Sequence, residues 1–425
     1  MADLLITHGN LSDGSQDVDL AIEAGMIIGC GPGLRLPAKR VLDARGGLIV
    51  PGFVEAHLHL DVALMNDDAR PGRAASFVLP AELNRQMEMR RGAFTRADIE
   101  ARAARGLALA SRHGVTAMRA QCHVDTTVGL AHLEALLAVR ERSRDLVDLQ
   151  IVAFPQQGLL DQPRTLDLFH EAFRLGADVM GCASNLDPRV VTVADARRHI
   201  DAALALAMEH DVDLDMHVDM GLPERIELDE LEVVYAARRA LETGYVGRLV
   251  AGHVCALDSA EPDVAATAVA AIREAGISVI SLPDMYRLAR ADRRGVRRGL
   301  TRVRQLLAAG VNVAFASNNV RDAFRPLGNF DLLEEGLILA YGAHMDTIDE
   351  LETLLRMCTE NAARALRLAG YGLRVGDRAD LVVLDAPTPS AAVVGQVDKR
   401  FVIKGGRVVA AAGRVGEHGA APADA

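Results

Sequence analysis

The stretch "GLIVPGFVEAHLHLD", residues 47–61, begins as an apolar run and ends with two histidines and an aspartate. A nearly continuous apolar run of this length is typical of a strand in a parallel sheet that is covered on its outer face. His57 and His59 are spaced i, i+2, so in an extended segment both imidazoles lie on the same side. The stretch therefore predicts a buried strand that carries two histidines at its carboxyl end.

The same pattern recurs seven times further along the chain. Between these strands lie helical segments, and the segment 95–114 opens with Thr95 as an N-cap and Asp98 three residues later. The segment 192–211 repeats that pattern from Thr192. Eight apolar strands alternating with helices predict an α/β fold, a (β/α)8 TIM-type barrel, and the alternative is a doubly wound open sheet. The seven further strands are predicted within 114–125, 147–158, 176–185, 211–220, 247–257, 276–285 and 310–319.

Both ends of the chain have short alternating runs broken by Gly, Asp and Asn, which are typical of antiparallel strands. Neither end has enough strands to bury a core alone. We therefore predict one small β-sandwich domain built from residues 1–51 and 368–415, with the barrel over 52–367. The small, polar segment 416–425 is predicted to be a disordered tail.

Composition excludes several classes of protein. The chain has 425 residues and a formal net charge of −11, and its basic residues are not clustered with aromatic ones, so nucleic acid is not expected as a partner. No apolar run reaches the roughly 18 residues of a membrane span, and no leader segment is recognisable. The five scattered cysteines give no disulfide framework and indicate a reducing cytoplasm. We expect a cytoplasmic homo-oligomer that acts on a small molecule and has no membrane partner.

Polar residues follow the predicted strands at their carboxyl ends, where TIM barrels carry their active sites. A lone histidine there is more often a hydrogen-bonded core residue. A pair of histidines, a third on strand five and a fourth on strand six instead favour a metal site, because neutral imidazoles are good ligands for Zn²⁺ and similar ions. The strand-end residues are His57, His59, 119–123, Gln156, Gln157, Ser184, Asn185, His217, Asp219, His253, Asp284, Asn318 and Asn319.

Motifs of competing sites are absent, since the sequence contains no HExxH, PCxxC, GxSxG or GxxxxGK[ST]. The strand ends instead carry, in order, the stretches "PGFVEAHLHLD" (51–61), "FPQQG" (154–158), "HVD" (217–219), "GHVCAL" (252–257), "FASNN" (315–319) and "FRPLGN" (324–329). Taken together, these stretches resemble the amidohydrolase superfamily, and more narrowly its branch with bacterial cytosine deaminase and N-isopropylammelide aminohydrolase. The resemblance extends over about residues 3–412.

The resemblance implies a role for five residues. His57, His59 and His217 would bind one divalent metal ion, Zn or Fe. His253 would position or deprotonate the attacking water, and Gln156 would hydrogen-bond the edge of a flat nitrogen heterocycle.

The chain has only three lysines, and this limits the number of metal ions. Lys39, Lys399 and Lys404 all lie near the chain ends, so no carbamylated lysine can bridge two metals in the barrel. One metal ion per chain is therefore expected.

The implied function is that of a metal-dependent amidohydrolase, and more narrowly of a deaminase. It would hydrolyse a C–N bond of a pyrimidine-, triazine- or purine-like ring through metal-activated water. Two alternatives stay open: a catalytically impaired homologue that binds such a ring, and an amide or carbamate hydrolase on the same fold.

Two positions depart from the family pattern. The resemblance places an aspartate where this chain has Asn318, and a glutamate where it has Met220. An asparagine oxygen can still coordinate a metal ion, but it cannot accept a proton at a useful pH. The general base must then be another group.

Three acids are candidates for that role. Asp219 stands at i+2 from His217, so the strand rule predicts that both side chains lie on the same side. Asp322 and Asp284 are the other candidates, and for each of the three the alternative is an ordinary loop or N-cap acid.

Two further residues are predicted to bind the substrate. Asp284 lies at the end of predicted strand seven. Phe77 lies in the long segment 66–86 after strand one, which could line a wall of the site, and its ring could stack on a flat ligand.

Overall fold

The computed structural model describes residues 1–67, 80–160, 163–282, 299–411 and 414–415. Its strands are β1 (Ala2–Leu11), β2 (Val18–Glu23), β3 (Met26–Pro32), β4 (Ala38–Asp43), β5 (Leu48–Pro51), β6 (Phe53–Leu58), β7 (Val115–His123), β8 (Asp148–Phe154), β9 (Val179–Cys182), β10 (Asp213–Val218), β11 (Leu249–His253), β12 (Ser278–Ser281), β13 (Val313–Phe315), β14 (Leu381–Leu384), β15 (Lys399–Lys404), β16 (Arg407–Ala411) and β17 (Arg414–Val415). Its α-helices are α1 (Pro80–Arg91), α2 (Arg96–Arg112), α3 (Ala131–Ser143), α4 (Pro163–Leu175), α5 (Val193–Glu209), α6 (Glu232–Thr243), α7 (Pro262–Glu274), α8 (Val303–Ala308), α9 (Leu332–Ala343), α10 (Ile348–Met357), α11 (Glu360–Ala365) and α12 (Pro389–Gly395).

Strands β6 to β13 form an eight-stranded sheet in which every strand pairs in parallel with the next one along the chain. The sheet closes on itself just after β13. The backbone N–H of Asn318 donates to the carbonyl of His57, and the N–H of His59 donates to the carbonyl of Asn318, both at 2.9 Å. The predicted (β/α)8 barrel is therefore confirmed, and the open-sheet alternative is wrong.

The helices cover the outside of the barrel with one apolar face each. In α5 the buried residues include Ala196, Ile200, Ala203 and Ala207, a spacing of three to four residues that turns one side of the helix to the sheet. Thr192 caps this helix, so the predicted start is confirmed.

The predicted start of α2 is confirmed in the same way. Thr95 accepts a hydrogen bond from the N–H of Asp98 at 3.2 Å.

Strands from both ends of the chain pair with each other in the small domain. The long strand β1 pairs with β2 and β4 along its first part and with β5 at its end. Strand β5 pairs with β14, which is followed by β15, β16 and β17. These strands enclose an apolar core of their own, which includes Ile6, Leu20, Ile49, Leu381 and Ile403. The small β-domain built from both termini is confirmed.

The exact boundaries 1–51, 52–367 and 368–415 stay predictions, and the tail 416–425 lies outside the described residues. Within the described part of the chain, no helix combines the length and the apolar surface needed to cross a membrane.

Replacing Thr192 with alanine should destabilise the protein by about 1 kcal/mol, because this residue is half of a capping box. Its hydroxyl accepts from the N–H of Asp195 at 3.2 Å, and the Asp195 carboxylate accepts from the N–H of Thr192 at 2.9 Å. Urea denaturation measures the change. Thr267→Ala on α7 is the matched control, since among the described residues that exposed hydroxyl bonds only a carbonyl of its own helix. Equal losses in both variants would contradict the capping role.

Candidate metal centre

Three imidazoles meet at the carboxyl end of the barrel. His57 lies at the end of β6 and His59 just after it, while His217 comes from β10 on the other side of the barrel. The Nε2 atom of His217 lies 3.1 Å from that of His57 and 3.0 Å from that of His59. Tetrahedral Zn²⁺ with ordinary bond lengths holds its nitrogen ligands roughly 3.3 Å apart. The three histidines are therefore arranged as metal ligands would be.

The protonation state of His59 also fits a metal ion. All three rings are buried. Burial, together with the neighbouring His57 and His123, holds the pKa of His59 well below its ordinary value. A neutral imidazole keeps a lone pair for a metal, so the group suits a divalent ion of the Zn or Fe type.

Asp215, which the sequence patterns did not mark, orients the first of the three imidazoles, His57. Its Oδ1 lies 3.3 Å from Nδ1 of His57 and accepts from Nε2 of Gln121 at 3.0 Å. Its Oδ2 accepts from Arg119 at 3.1 Å. Burial alone would raise the pKa of Asp215, but the hydrogen bond from His57 and the charge of Arg119 hold it below its ordinary value. An anion at Nδ1 fixes the tautomer of His57 and leaves its Nε2 free to bind a metal.

Gly252 gives His57 the room for this orientation. A Cβ atom at position 252 would lie 3.1 Å from Cε1 and 3.3 Å from Nδ1 of His57, closer than side chains normally approach. Gly252 therefore leaves space for the ring of His57.

A second group of buried polar residues lies beside the three imidazoles. Asp61 accepts hydrogen bonds from Nδ1 of His132 at 2.7 Å and from the N–H of His123 at 3.0 Å. His59, Asp61 and His123 also form a group of potential ligands within 4.8 Å of one another. Asp61 thus ties the end of the first barrel strand to the end of the second, a role that its position after "HLHL" does not reveal.

His253 lies beside the three imidazoles. Its ring centroid is 5.1 Å from that of His217 and 6.0 Å from that of His57, and the side chain is buried. The backbone turns sharply here, since His253 has φ 72 and Val254 has φ 52. Left-handed geometry is costly for a β-branched residue and marks strained functional positions.

Asn318 is held on both sides by its neighbours. Ser317 donates its N–H and its hydroxyl to Glu55 at 2.9 and 2.5 Å, and Asn319 donates to Asp322 at 2.6 Å. The amide oxygen of Asn318 is buried and has no hydrogen-bond partner in the part of the chain that the structure describes. A buried acceptor without a donor fits a ligand or a water-orienting group, so Asn318 suits the metal centre chemically.

Asp219 is turned towards a helix. Strand β10 ends at Val218, and Asp219 has φ 52, so the side-alternation rule that predicted its direction no longer applies. Its two oxygens accept from the N–H groups of Glu232 and Val233 at 2.8 and 3.0 Å, at the start of α6. Burial and the neighbouring Glu232 raise the pKa of Asp219 above its ordinary value. These contacts favour the alternative of an ordinary structural acid, which here accepts from the first N–H groups of α6, over a catalytic base.

Asp322, the second candidate acid, accepts hydrogen bonds from within its own loop. Besides Asn319, it accepts hydrogen bonds from the N–H groups of Phe324 and Arg325 at 2.9 and 3.0 Å. The third candidate, Asp284, lies outside the described residues, and so does Phe77.

Gln156 lies just after β8 and is buried. Its Nε2 donates to the carboxylate of Glu88 at 3.4 Å.

The aromatic residue at the end of β8, Phe154, packs its ring 4.5 Å from His217 and 5.1 Å from His59, measured between centroids. The apolar ring of Phe154 therefore covers one side of the imidazole group.

The sequence pattern of the amidohydrolase family matches residues 81–410. The chain belongs to the amidohydrolase family. The N-isopropylammelide isopropyl amidohydrolase of Pseudomonas sp. (strain ADP) is 28% identical over 416 residues, which cover 96% of this chain and 97% of that protein. The pterin deaminase of Rhizobium rhizogenes is 30% identical over 409 residues, covering 94% and 90% of the two chains.

Solved structures of amidohydrolases agree with this fold. The crystal structure of 5-methylcytosine deaminase from Klebsiella pneumoniae liganded with phosphonocytosine has a TM-score of 0.87 and 31% identity. The similarity covers 95% of this chain and 97% of that one. The resemblance that the strand-end motifs indicated is thus confirmed over nearly the whole chain.

Asp215→Asn should weaken Zn²⁺ binding by about 10- to 100-fold, because it removes the negative charge behind His57. Competition with a chromophoric chelator measures the affinity. Asp213→Asn is the matched control on the same strand, since Asp213 pairs with the surface residues Arg248 and Arg367. An unchanged affinity in Asp215→Asn would refute the orienting role.

Asp322→Asn should stabilise the protein more at pH 8 than at pH 4.5. Burial raises the pKa of Asp322 to about 6, against the opposing hydrogen bonds of Arg325 and Asn319. A group whose pKa is raised by folding favours the folded state below its unfolded pKa of about 3.9, and this contribution is lost as the pH rises through 6. Melting temperatures of both proteins at the two pH values test this. A difference that does not depend on pH would contradict it.

Proposed function

We propose that this chain is a metal-dependent deaminase of the amidohydrolase family that hydrolyses a C–N bond of a pyrimidine-, triazine- or purine-like ring. The observation that carries the proposal is the convergence of three buried Nε2 atoms, 3.0 and 3.1 Å apart, at the carboxyl end of the barrel. Two full-length relatives, named as an amidohydrolase of N-isopropylammelide and a deaminase of pterin, support the substrate class.

His57, His59 and His217 would hold one divalent ion, Zn²⁺ or Fe²⁺, and Asn318 could add its amide oxygen. Such an ion, when bound, lowers the pKa of water towards 7 and polarises the carbon that is attacked.

The chain's own residues would divide the remaining work. His253 lies beside the ligands and would take the proton of the attacking water, because an asparagine at 318 cannot. The oxygen of Asn318 would orient that water by accepting a hydrogen bond, while Gln156 would bind the ring edge. Phe154 would exclude bulk water from one side of the imidazoles. A homo-oligomeric state and a cytoplasmic location stay predictions.

Asn318 itself favours a second candidate function. Where the family pattern has an acid, a carboxamide removes a proton acceptor whose loss typically costs about 10²- to 10⁴-fold in rate. The second candidate is therefore a catalytically impaired homologue that binds a heterocycle. A third possibility is an amide or carbamate hydrolase on the same fold. Its turnover would depend on metal in the same way, but it would not release ammonia.

The test combines metal content with turnover. Purified protein should hold about one metal ion per chain by mass spectrometry and release ammonia or an amine from a member of a panel of aminopyrimidines, aminotriazines and pterins. Chelation should abolish turnover and added Zn²⁺ should restore it. His217→Ala should lose both metal and turnover, whereas His344→Ala, a change at an exposed histidine, should keep both.

Asn318→Asp separates the two candidate functions. If the native chain is empty and inactive while Asn318→Asp gains metal and turnover, the hydrolase is refuted and the binding role is favoured. If the native chain turns over a panel member, its site works with a carboxamide.

A further inference from the structure

Glu88, on the helix α1 that follows the first barrel strand, contacts two adjacent carboxamides. Its Oε1 accepts from Nε2 of Gln156 at 3.4 Å, and its Oε2 accepts from Nε2 of Gln157 at 3.2 Å. The two glutamines follow β8, so this single carboxylate connects helix α1 with the end of the third barrel strand.

Arg91 fixes the position of the Glu88 carboxylate. Its guanidinium is fully buried and donates to Oε2 of Glu88 at 2.6 Å and to Oδ2 of Asp125 at 2.5 Å. Asp125 lies just after β7. A buried arginine that bridges two carboxylates holds both in place, so Glu88 is anchored to the second strand end as well.

The two glutamines differ in which of their side-chain polar atoms already have hydrogen-bond partners. In Gln157, Nε2 also donates to the hydroxyl of Thr127 at 2.7 Å and Oε1 accepts from that of Thr126 at 3.4 Å, so both ends of the carboxamide have protein partners. In Gln156 only Nε2 is engaged, and its Oε1 accepts no hydrogen bond from the residues that the structure describes.

The chemistry of Glu88 sets the orientation of Gln156. A carboxylate can only accept hydrogen bonds, so the atom of Gln156 that faces it must be the NH₂ group. The carbonyl oxygen of Gln156 then points away from Glu88 and is presented as an acceptor. A partner for that oxygen must be a donor, such as a ring N–H.

We propose that Glu88 is a positioning residue that makes Gln156 select lactam-type heterocycles, in which a ring N–H lies at the bound edge. Rings with an N-methyl group or a bare nitrogen at that edge cannot donate to Gln156 and are disfavoured. The inference rests on the proposed function in one respect, that Gln156 contacts the bound ring.

The test compares binding of ring N–H and ring N-methyl ligands by isothermal titration calorimetry on Zn²⁺-loaded protein. The probes are cytosine, ammelide and pterin, each beside its ring-N-methyl derivative. The proteins are the native chain, Glu88→Gln, Glu88→Ala and the control Glu274→Gln, which removes an exposed charge on α7.

The native chain and Glu274→Gln should bind at least one N–H probe about tenfold or more tightly than its N-methyl partner. In Glu88→Gln this ratio should fall about tenfold. The new amide can donate to Oε1 of Gln156, so the carboxamide of Gln156 can flip and present its NH₂ group to the ring in place of its oxygen. Steric effects of the methyl group are the same in both proteins and cancel in the comparison. Glu88→Ala should change the ratio in the same direction, so a folding failure of Glu88→Gln would still leave the inference testable.

Equal ratios in the native chain and the folded Glu88 variants would overturn the inference. So would a native chain that binds none of the three N–H probes. Ammonia release from the same samples tests the proposed function separately: binding with the expected preference but without release refutes the deaminase and leaves the role of Glu88 standing.

Discussion

The backbone N–H of Asn318 donates to the backbone carbonyl of His57, and the backbone N–H of His59 donates to the backbone carbonyl of Asn318. These two hydrogen bonds close the barrel, and each of them joins two residues of the candidate metal centre. Closure of the sheet and the placement of the ligands are therefore one constraint. The backbone at position 318 cannot move without opening the barrel, whereas its side chain is free to differ. An asparagine in place of an acid can consequently change the chemistry of the site while the fold stays the same.

Buried polar groups beneath the site reinforce that constraint. Glu55 accepts both hydrogen bonds of Ser317, and Arg325 donates to the carbonyl of Ser317 at 3.1 Å and pairs with Glu335 at 2.7 Å. Burial, only partly offset by the hydrogen bonds of Ser317, raises the pKa of Glu55 to about 7. Leaving one buried partner unsatisfied costs more than a hydrogen bond contributes. This network therefore contributes less to stability than to fixing the position of the backbone at Ser317 and Asn318.

Much of the fold could be predicted from the sequence because its signals are local. The apolar runs that end in polar residues, and caps such as Thr192, depend on neighbours a few positions away. The side-alternation rule used to predict the direction of the Asp219 side chain does not extend to this residue, because it holds only within a strand and β10 ends one residue earlier. The contacts of Asp215 with His57 and of Glu88 with Gln156 join residues that are far apart in the chain. Only the closed barrel brings them together, and no local pattern marks them.

The charge of the candidate metal centre follows from these contacts. Three imidazoles and a carboxamide carry no negative charge, so the donor set itself does not neutralise a divalent ion. Of the nearby carboxylates, Asp215 lies behind the ring of His57, whereas Asp61 contacts His123 and His132, which are not among the three imidazoles. Charge that reaches a metal through an imidazole fixes the tautomer and raises the basicity of the ligand without occupying a coordination position. If a metal ion binds here as proposed, Asp215 would take on a part of the electrostatic role that an acid at position 318 would have, but not its role as a proton acceptor.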